Sequence, residues 1–226
     1  MKAKFSEYLD SIAEPMKNLV QILSRKYDYV SLLSTDSPGL TLLCTRTGKK
    51  VSHHTMTTER GNVIRVAKDG LYSEFSFNEF DPDNIPALAE RITAELDSQI
   101  ELLKITGTSV YETGILSDEK KELFVEKETE ILPEKADTGE LMEILQQISQ
   151  KGLETSGEIV ESMVRAQSTH ISKMFITPNR FLRQSYVYSE AMAAVVAARD
   201  GMNRMAYEVV SGCRGPEMFK DLLEKV

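Results

Sequence analysis

The sequence predicts an α+β fold: antiparallel β meanders packed with helices, as two α/β units in sequence. Three observations point there. Each unit opens on apolar residues at helical spacing. Each then changes to a period of two, broken by short turn signals such as Asp69-Gly70 and Asp200-Gly201. A charged stretch without clear periodicity separates the two. The expected division is 1–105 for a helix, β-meander and helix, 106–137 for a charged linker, and 138–226 for a helix, a long antiparallel meander and the start of a tail helix.

Phe5, Leu9, Ile12, Met16, Leu19 and Leu23 form one apolar stripe, so the chain opens on a helix, with Pro15 expected to kink or restart it. A strand is expected from Tyr27 to Leu33, ending in a turn at Ser37-Pro38-Gly39. Leu40, Leu42 and Cys44 alternate with Thr41, Leu43 and Thr45 in a second strand, closed by Thr47-Gly48. Lys50 to Thr57 alternates weakly, Arg60-Gly61 reads as a turn, and Val63 to Lys68 leads through Asp69-Gly70 into Leu71 to Phe77. Asp-Gly between alternating residues marks a hairpin, because glycine accepts the positive φ of a type I′ turn. Asp83 or Asn84 can cap the next helix and Pro86 suits its first turn, with Leu88, Ile92, Leu96, Ile100 and Leu103 on the buried side.

Thr106 to Asp137 reads as a solvated linker with some local helix, the other reading being an acidic docking segment. Thr138 opens a third helix lined by Leu141, Ile144, Leu145 and Ile148, with Leu153 at its end. Strand patterns follow over Ile159 to Gln167, Thr169 to Ile176, Phe181 to Arg199 and Met202 to Val210, with turns at Thr177-Pro178-Asn179 and Asp200-Gly201. Glu190 to Arg199 is alanine-rich, which favours helix, yet Tyr186-Val187-Tyr188 before it and Asp200-Gly201 after it favour a long strand. Pro216 to Val226 reads as a helix opening.

With 226 residues the chain can bury a proper core, and its charge of −8 argues against a nucleic-acid partner. No segment has the ~20 apolar residues needed to span a bilayer, and Met1 to Asp10 lacks the apolar run of a secretory signal. The expectation is a cytoplasmic protein with no membrane partner.

The chemistry-bearing residues are few. His53 and His54 are adjacent in an expected strand, so they face opposite sides and do not clamp one ion. His170 reads as sheet decoration beside Thr169 and Ser172, and Cys44 shares the core face of Leu40 and Leu42. Cys213 lies in Ser211-Gly212-Cys213-Arg214-Gly215, where Arg214 is placed to lower a thiol pKa, though a plain turn explains the loop as well. Arg165, Arg180, Arg183, Arg199, Arg204 and Arg214 enrich the last third; they either line a groove for a carboxylate or peptide terminus or protect an edge strand. Phosphate-loop, dinucleotide and serine-elbow motifs are missing. No catalytic, cofactor-binding or metal-binding residue is assigned in this chain.

The run Arg60-Gly61-Asn62-Val63-Ile64-Arg65-Val66-Ala67-Lys68-Asp69-Gly70-Leu71-Tyr72-Ser73-Glu74-Phe75-Ser76-Phe77, followed by Asp81-Pro82-Asp83 and a helix, resembles the N-terminal part of the TldD/PmbA family. The later helix, long meander, glycine-containing loop and helix resemble it too. The turn at Thr177-Pro178-Asn179-Arg180 departs from the family's Asn-Ser-x-Gly-like turn. The resemblance implies a relative of metallopeptidases, also called modulators of DNA gyrase, that works as paired related subunits on peptides or proteins. It implies zinc held in a C-terminal part by a His-Glu-x-x-x-His helix and a later cysteine. This sequence contains no such motif, so no catalytic residue carries over. The expected role is a non-catalytic N-terminal region that forms part of a peptide-binding cleft and a subunit interface. The alternative is a stand-alone peptide-binding or regulatory module, with an extended peptide added to an edge strand.

Overall fold

The computed structural model describes residues 1–54, 60–107 and 119–226. It contains α1 (Glu7–Leu23), β1 (Tyr29–Asp36), β2 (Gly39–Thr45), β3 (Lys49–Ser52), β4 (Arg60–Lys68), β5 (Leu71–Phe77), α2 (Ile85–Thr106), β6 (Lys121–Glu126), α3 (Thr138–Glu154), β7 (Ile159–Thr177), β8 (Arg180–Arg199), β9 (Met202–Gly212) and α4 (Phe219–Lys225). The α+β class with antiparallel strands and packed helices is the architecture observed. Among the described strands one pair, β6 with β8, is parallel.

Among the described residues, all nine strands belong to one sheet. Its frame is three long runs. β7 and β8 are 19 and 20 residues long and pair along their whole length. The other edge of β7 carries β1 and β2 end to end: Asp36 lies opposite Ser172 and Gly39 opposite Thr169, in one unbroken register. Ser37-Pro38-Gly39, expected to turn the chain, is therefore an in-line break. Proline cannot donate to a ladder, and the Pro38 carbonyl instead accepts from the His170 amide at 2.9 Å.

The outer neighbours change at that break. β1 carries β4 and then β5, whereas β2 carries β3. On the far side β8 carries β6 over Arg180–Ser185 and β9 over Ser189–Arg199. Each half has its own core under its own helices. α1 and α2 cover Val30, Leu32, Ile64, Val66, Met174 and Ile176. α3 and α4 cover Leu40, Leu42, Val164, Ala166, Ala191 and Ala193. Residues from 1–105 and from 138–226 thus contribute to one sheet, and β2 of the first stretch lies under α3 of the second.

Local chemistry accounts for most boundaries. Ser6 caps α1 by accepting from the Leu9 amide, and the helix continues through Pro15. Its buried side, Leu9 to Leu23, holds it on the sheet. Asn84 caps α2, and Asp137, not Thr138, caps α3, taking the amides of Gly139 and Glu140. Asp69-Gly70 and Asp200-Gly201 both have positive φ at both residues, as type I′ hairpins require. Glu190 to Arg199 is strand, because pairing with β7 and β9 on both edges overrides alanine's helix preference. Arg60-Gly61 opens β4 and is not a turn. Lys50 to Thr57 shortens to β3, which ends at Ser52; 55–59 lie outside the described residues.

The charged stretch read as linker differs over its described part. Lys121–Glu126 forms β6, Pro133–Lys135 a 3-10 turn and Asp137 a helix cap. The segment 108–118 lies outside the described residues.

Candidate functional site

Where the two cores meet, the sheet is polar. β7 and β8 alternate strictly, so Ser168, His170 and Ser172 share the helix-side face with Ser185 and Ser189, all buried. His170 Nδ1 lies 3.0 Å from Glu134 Oε1, and Nε2 lies 3.0 Å from Ser185 Oγ. Ser185 Oγ also donates to the Lys4 carbonyl at 3.2 Å and meets Ser172 Oγ at 3.1 Å. The N-terminal segment lies over this seam, tied down by the Ala3 amide to the Lys127 carbonyl and the Phe5 amide to Glu126. Burial, the largest single influence, pushes the Glu134 carboxyl up, but the hydrogen bond from His170, a backbone hydrogen bond and the nearby positive charges together outweigh it and leave the carboxyl below its usual range.

The order Glu134–His170–Ser185 has the connectivity of a charge-relay triad. Its serine is fully buried and committed to a backbone carbonyl, so no substrate atom reaches it. This string fixes the N-terminal segment and the Leu132–Lys135 turn onto the sheet. His170, expected as sheet decoration, is thus a buried structural junction.

Both cysteines are free. Cys44 is buried in the second core as expected, and burial raises its thiol pKa, which keeps it protonated. Cys213 is exposed in its loop, and Arg214 beside it pairs with Asp221 at 2.7 Å. His53 and His54 lie just past the end of β3, exposed, and not within a strand.

The six arginines do not converge. Arg183 stacks on Phe124 and Phe181 and reaches Asp10 at 3.0 Å. Arg165 lies on the face of β7 away from the helices, Arg199 pairs with Glu158 at 3.4 Å, and Arg204 lies on β9. Arg180 lines a hollow of about 290 Å³ at the β7–β8 turn, which the other five do not reach. Lys17, Gln21, Lys121, Glu122 and the Thr177–Asn179 turn share that lining. Gln21 reaches the Pro178 carbonyl at 3.4 Å, and Lys17 Nζ lies 4.0 Å from the Phe181 ring centre. The cations outnumber the single carboxylate there, so the hollow suits an anionic group. Sequence reasoning missed Lys17, Gln21 and Lys121 because they come from α1 and β6, far apart in the chain.

The described residues do not fit a zinc site. No three His, Cys, Asp or Glu side chains among them are grouped to hold an ion. His170 has both ring nitrogens occupied. Among the described residues no helix is long and apolar enough to cross a membrane.

No protein-family model and no curated protein matches this chain. Solved structures do. A protein of Bacteroides thetaiotaomicron assigned as a modulator of DNA gyrase is 12% identical, with a TM-score of 0.67 over 98% of this chain and 50% of its own. One of Thermotoga maritima with the same assignment is 16% identical, with a TM-score of 0.55 over 94% of this chain and 47% of its own. TldE of Thermococcus kodakarensis is 11% identical, with a TM-score of 0.57 over 93% of this chain and 46% of its own. At these identities the likeness is one of fold. The chain spans about half the length of the structures it matches, and the TldD/PmbA resemblance of its sequence is matched in its fold.

Proposed function

We propose, on the premise of a fold shared with TldD/PmbA-type proteins, that this chain is the non-catalytic N-terminal region of a TldD/PmbA-like metallopeptidase. The observation that carries the reading is the match over nearly the whole of this chain to only half of proteins assigned to that group. In this role the chain walls part of a peptide-binding cleft and pairs with a related subunit, with zinc and its His-Glu-x-x-x-His helix outside this sequence. The hollow lined by Lys17, Lys121 and Arg180 offers charge for a peptide carboxylate. The compartment proposed is the cytoplasm, and the partners proposed are a peptide or protein substrate and a related subunit, without nucleic acid.

The test is affinity purification from the native host, followed by metal analysis and a peptide-hydrolysis assay. The expected result is a co-purifying zinc-bearing related polypeptide, with hydrolysis by the assembly and none by this chain alone. Stoichiometric zinc and hydrolysis by the isolated chain would refute the non-catalytic role. A second reading, a stand-alone peptide-binding module, rests on β9, whose outer edge pairs with no other strand among the described residues. An assembly without a metallopeptidase-like partner favours it.

A further inference from the structure

We infer that β9 is a self-pairing edge: two copies of this chain join by antiparallel pairing of their β9 strands about a two-fold axis at Ala206. The inference deepens the subunit-pairing part of the reading above and names the partner surface.

Among the described residues β9 pairs with β8 alone. The two-residue turn Asp200-Gly201 closes on the pair Arg199–Met202, which is hydrogen-bonded in such hairpins. Even-numbered residues of β9 therefore spend their backbone groups on β8. Asn203, Met205, Tyr207 and Val209 turn theirs outward. Consistent with this, the Val209 carbonyl accepts from Lys225 Nζ at 3.4 Å. From Met202 to Val209 every residue is exposed, with Met205 at 67% and Tyr207 at 63%. No proline, lysine or bulge within Met202–Val209 interrupts the edge, and its two charges, Arg204 and Glu208, are of opposite sign.

The sequence of the edge is complementary to itself. With Ala206 opposite its own copy, Met205 lies opposite Tyr207, Arg204 opposite Glu208 and Asn203 opposite Val209, each pair occurring twice. Met205 and Tyr207 project from the face away from the helices, where thioether and ring pair well. Arg204 and Glu208 project from the other face, as non-hydrogen-bonded pairs whose side chains approach closely. Within one chain these two charges are four strand residues apart, roughly 13 Å, too far to pair. Among the described residues neither forms an ion pair. A second copy supplies each with the opposite charge directly across the strand, and the two-fold joint occupies the β9 edge of both copies at once.

Sedimentation equilibrium of the whole chain tests this. The expected result is a dimer. Arg204→Glu alone and Glu208→Arg alone each place two like-charge pairs at the joint and raise the dissociation constant about tenfold or more. Arg204→Glu with Glu208→Arg restores the opposite charges and the dimer. The register is read by oxidation in a Cys213→Ser background. Ala206→Cys gives an interchain disulfide, and Asn203→Cys, which faces Val209, does not. A monomeric wild type, or a dimer indifferent to both charge reversals, overturns the inference. Either result leaves the co-purification test of the metallopeptidase reading untouched.

Discussion

Glu134 and His170 show how one partly buried contact sets the pH response of a segment. The hydrogen bond from His170, with a backbone hydrogen bond and nearby positive charge, keeps the Glu134 carboxyl below its unfolded value although burial pushes it up. A depressed carboxylate stabilises the fold fully above its unfolded pKa, about 4.3, and that contribution is lost as pH falls through the folded value. Glu134→Gln should therefore unfold at lower urea than the wild type above about pH 5, with the gap closing as the solution is acidified. A gap that stays constant down to pH 3 would show that the charge is not what matters. Alternation alone placed His170 on a strand, and the outcome followed from three segments converging on it. Glu134, Ser185 and Lys4 are each distant in sequence, so no local pattern announced them.

Among the elements, the tail is seated by a single glycine and a single buried acid. Glu217 accepts from the Gly215 amide at 2.9 Å, the Ile131 amide at 3.2 Å and the Thr129 hydroxyl at 3.3 Å. A Cβ on Gly215 would stand 2.0 Å from the Ile131 carbonyl oxygen, backbone that cannot swing aside. Gly215→Ala should cost about 3 kcal/mol of stability, measured by chemical denaturation, through displacement of this segment. A loss below about 0.5 kcal/mol would mean that the loop yields freely. Elements with strong local signals were legible: both Asp-Gly hairpins, the N-cap of α2 and the amphipathic helices. β6 was not, because Lys121–Glu126 reads as part of a charge run and its parallel partner is found only in the fold. Ser37-Pro38-Gly39 misled for a related reason. The dipeptide chemistry of a turn also suits a break within a long strand, and only β7 decides between them.

At the scale of the molecule, two cores share one sheet. The runs β1–β2, β7 and β8 pass through both, so neither core can open without stripping hydrogen bonds from the other. Leu32→Ala in the first core and Leu42→Ala in the second, both fully buried, should each cost about 2–5 kcal/mol. Each should shift one common transition, seen equally by hydrogen exchange in β4 and in α3. Two separate transitions, one per core, would contradict this coupling. The hollow at the β7–β8 turn belongs to this scale as well. Its lining comes from α1, β6 and the turn, which is why six arginines read from sequence gave only one of its residues.

The shared long strands also bear on how the chain acquires its fold over time. Leu32 lies opposite Ile176 and Leu42 opposite Ala166, separations of 144 and 124 residues. Such contacts make folding slow, because distant segments must meet before any pairing is rewarded. During synthesis at about 5–20 residues per second, β2 waits roughly 6 to 25 s for the strand that completes it. Through that interval one edge of the nascent β1–β2 run is an unsatisfied template, and the newborn chain depends on its surroundings to keep it from the wrong neighbour.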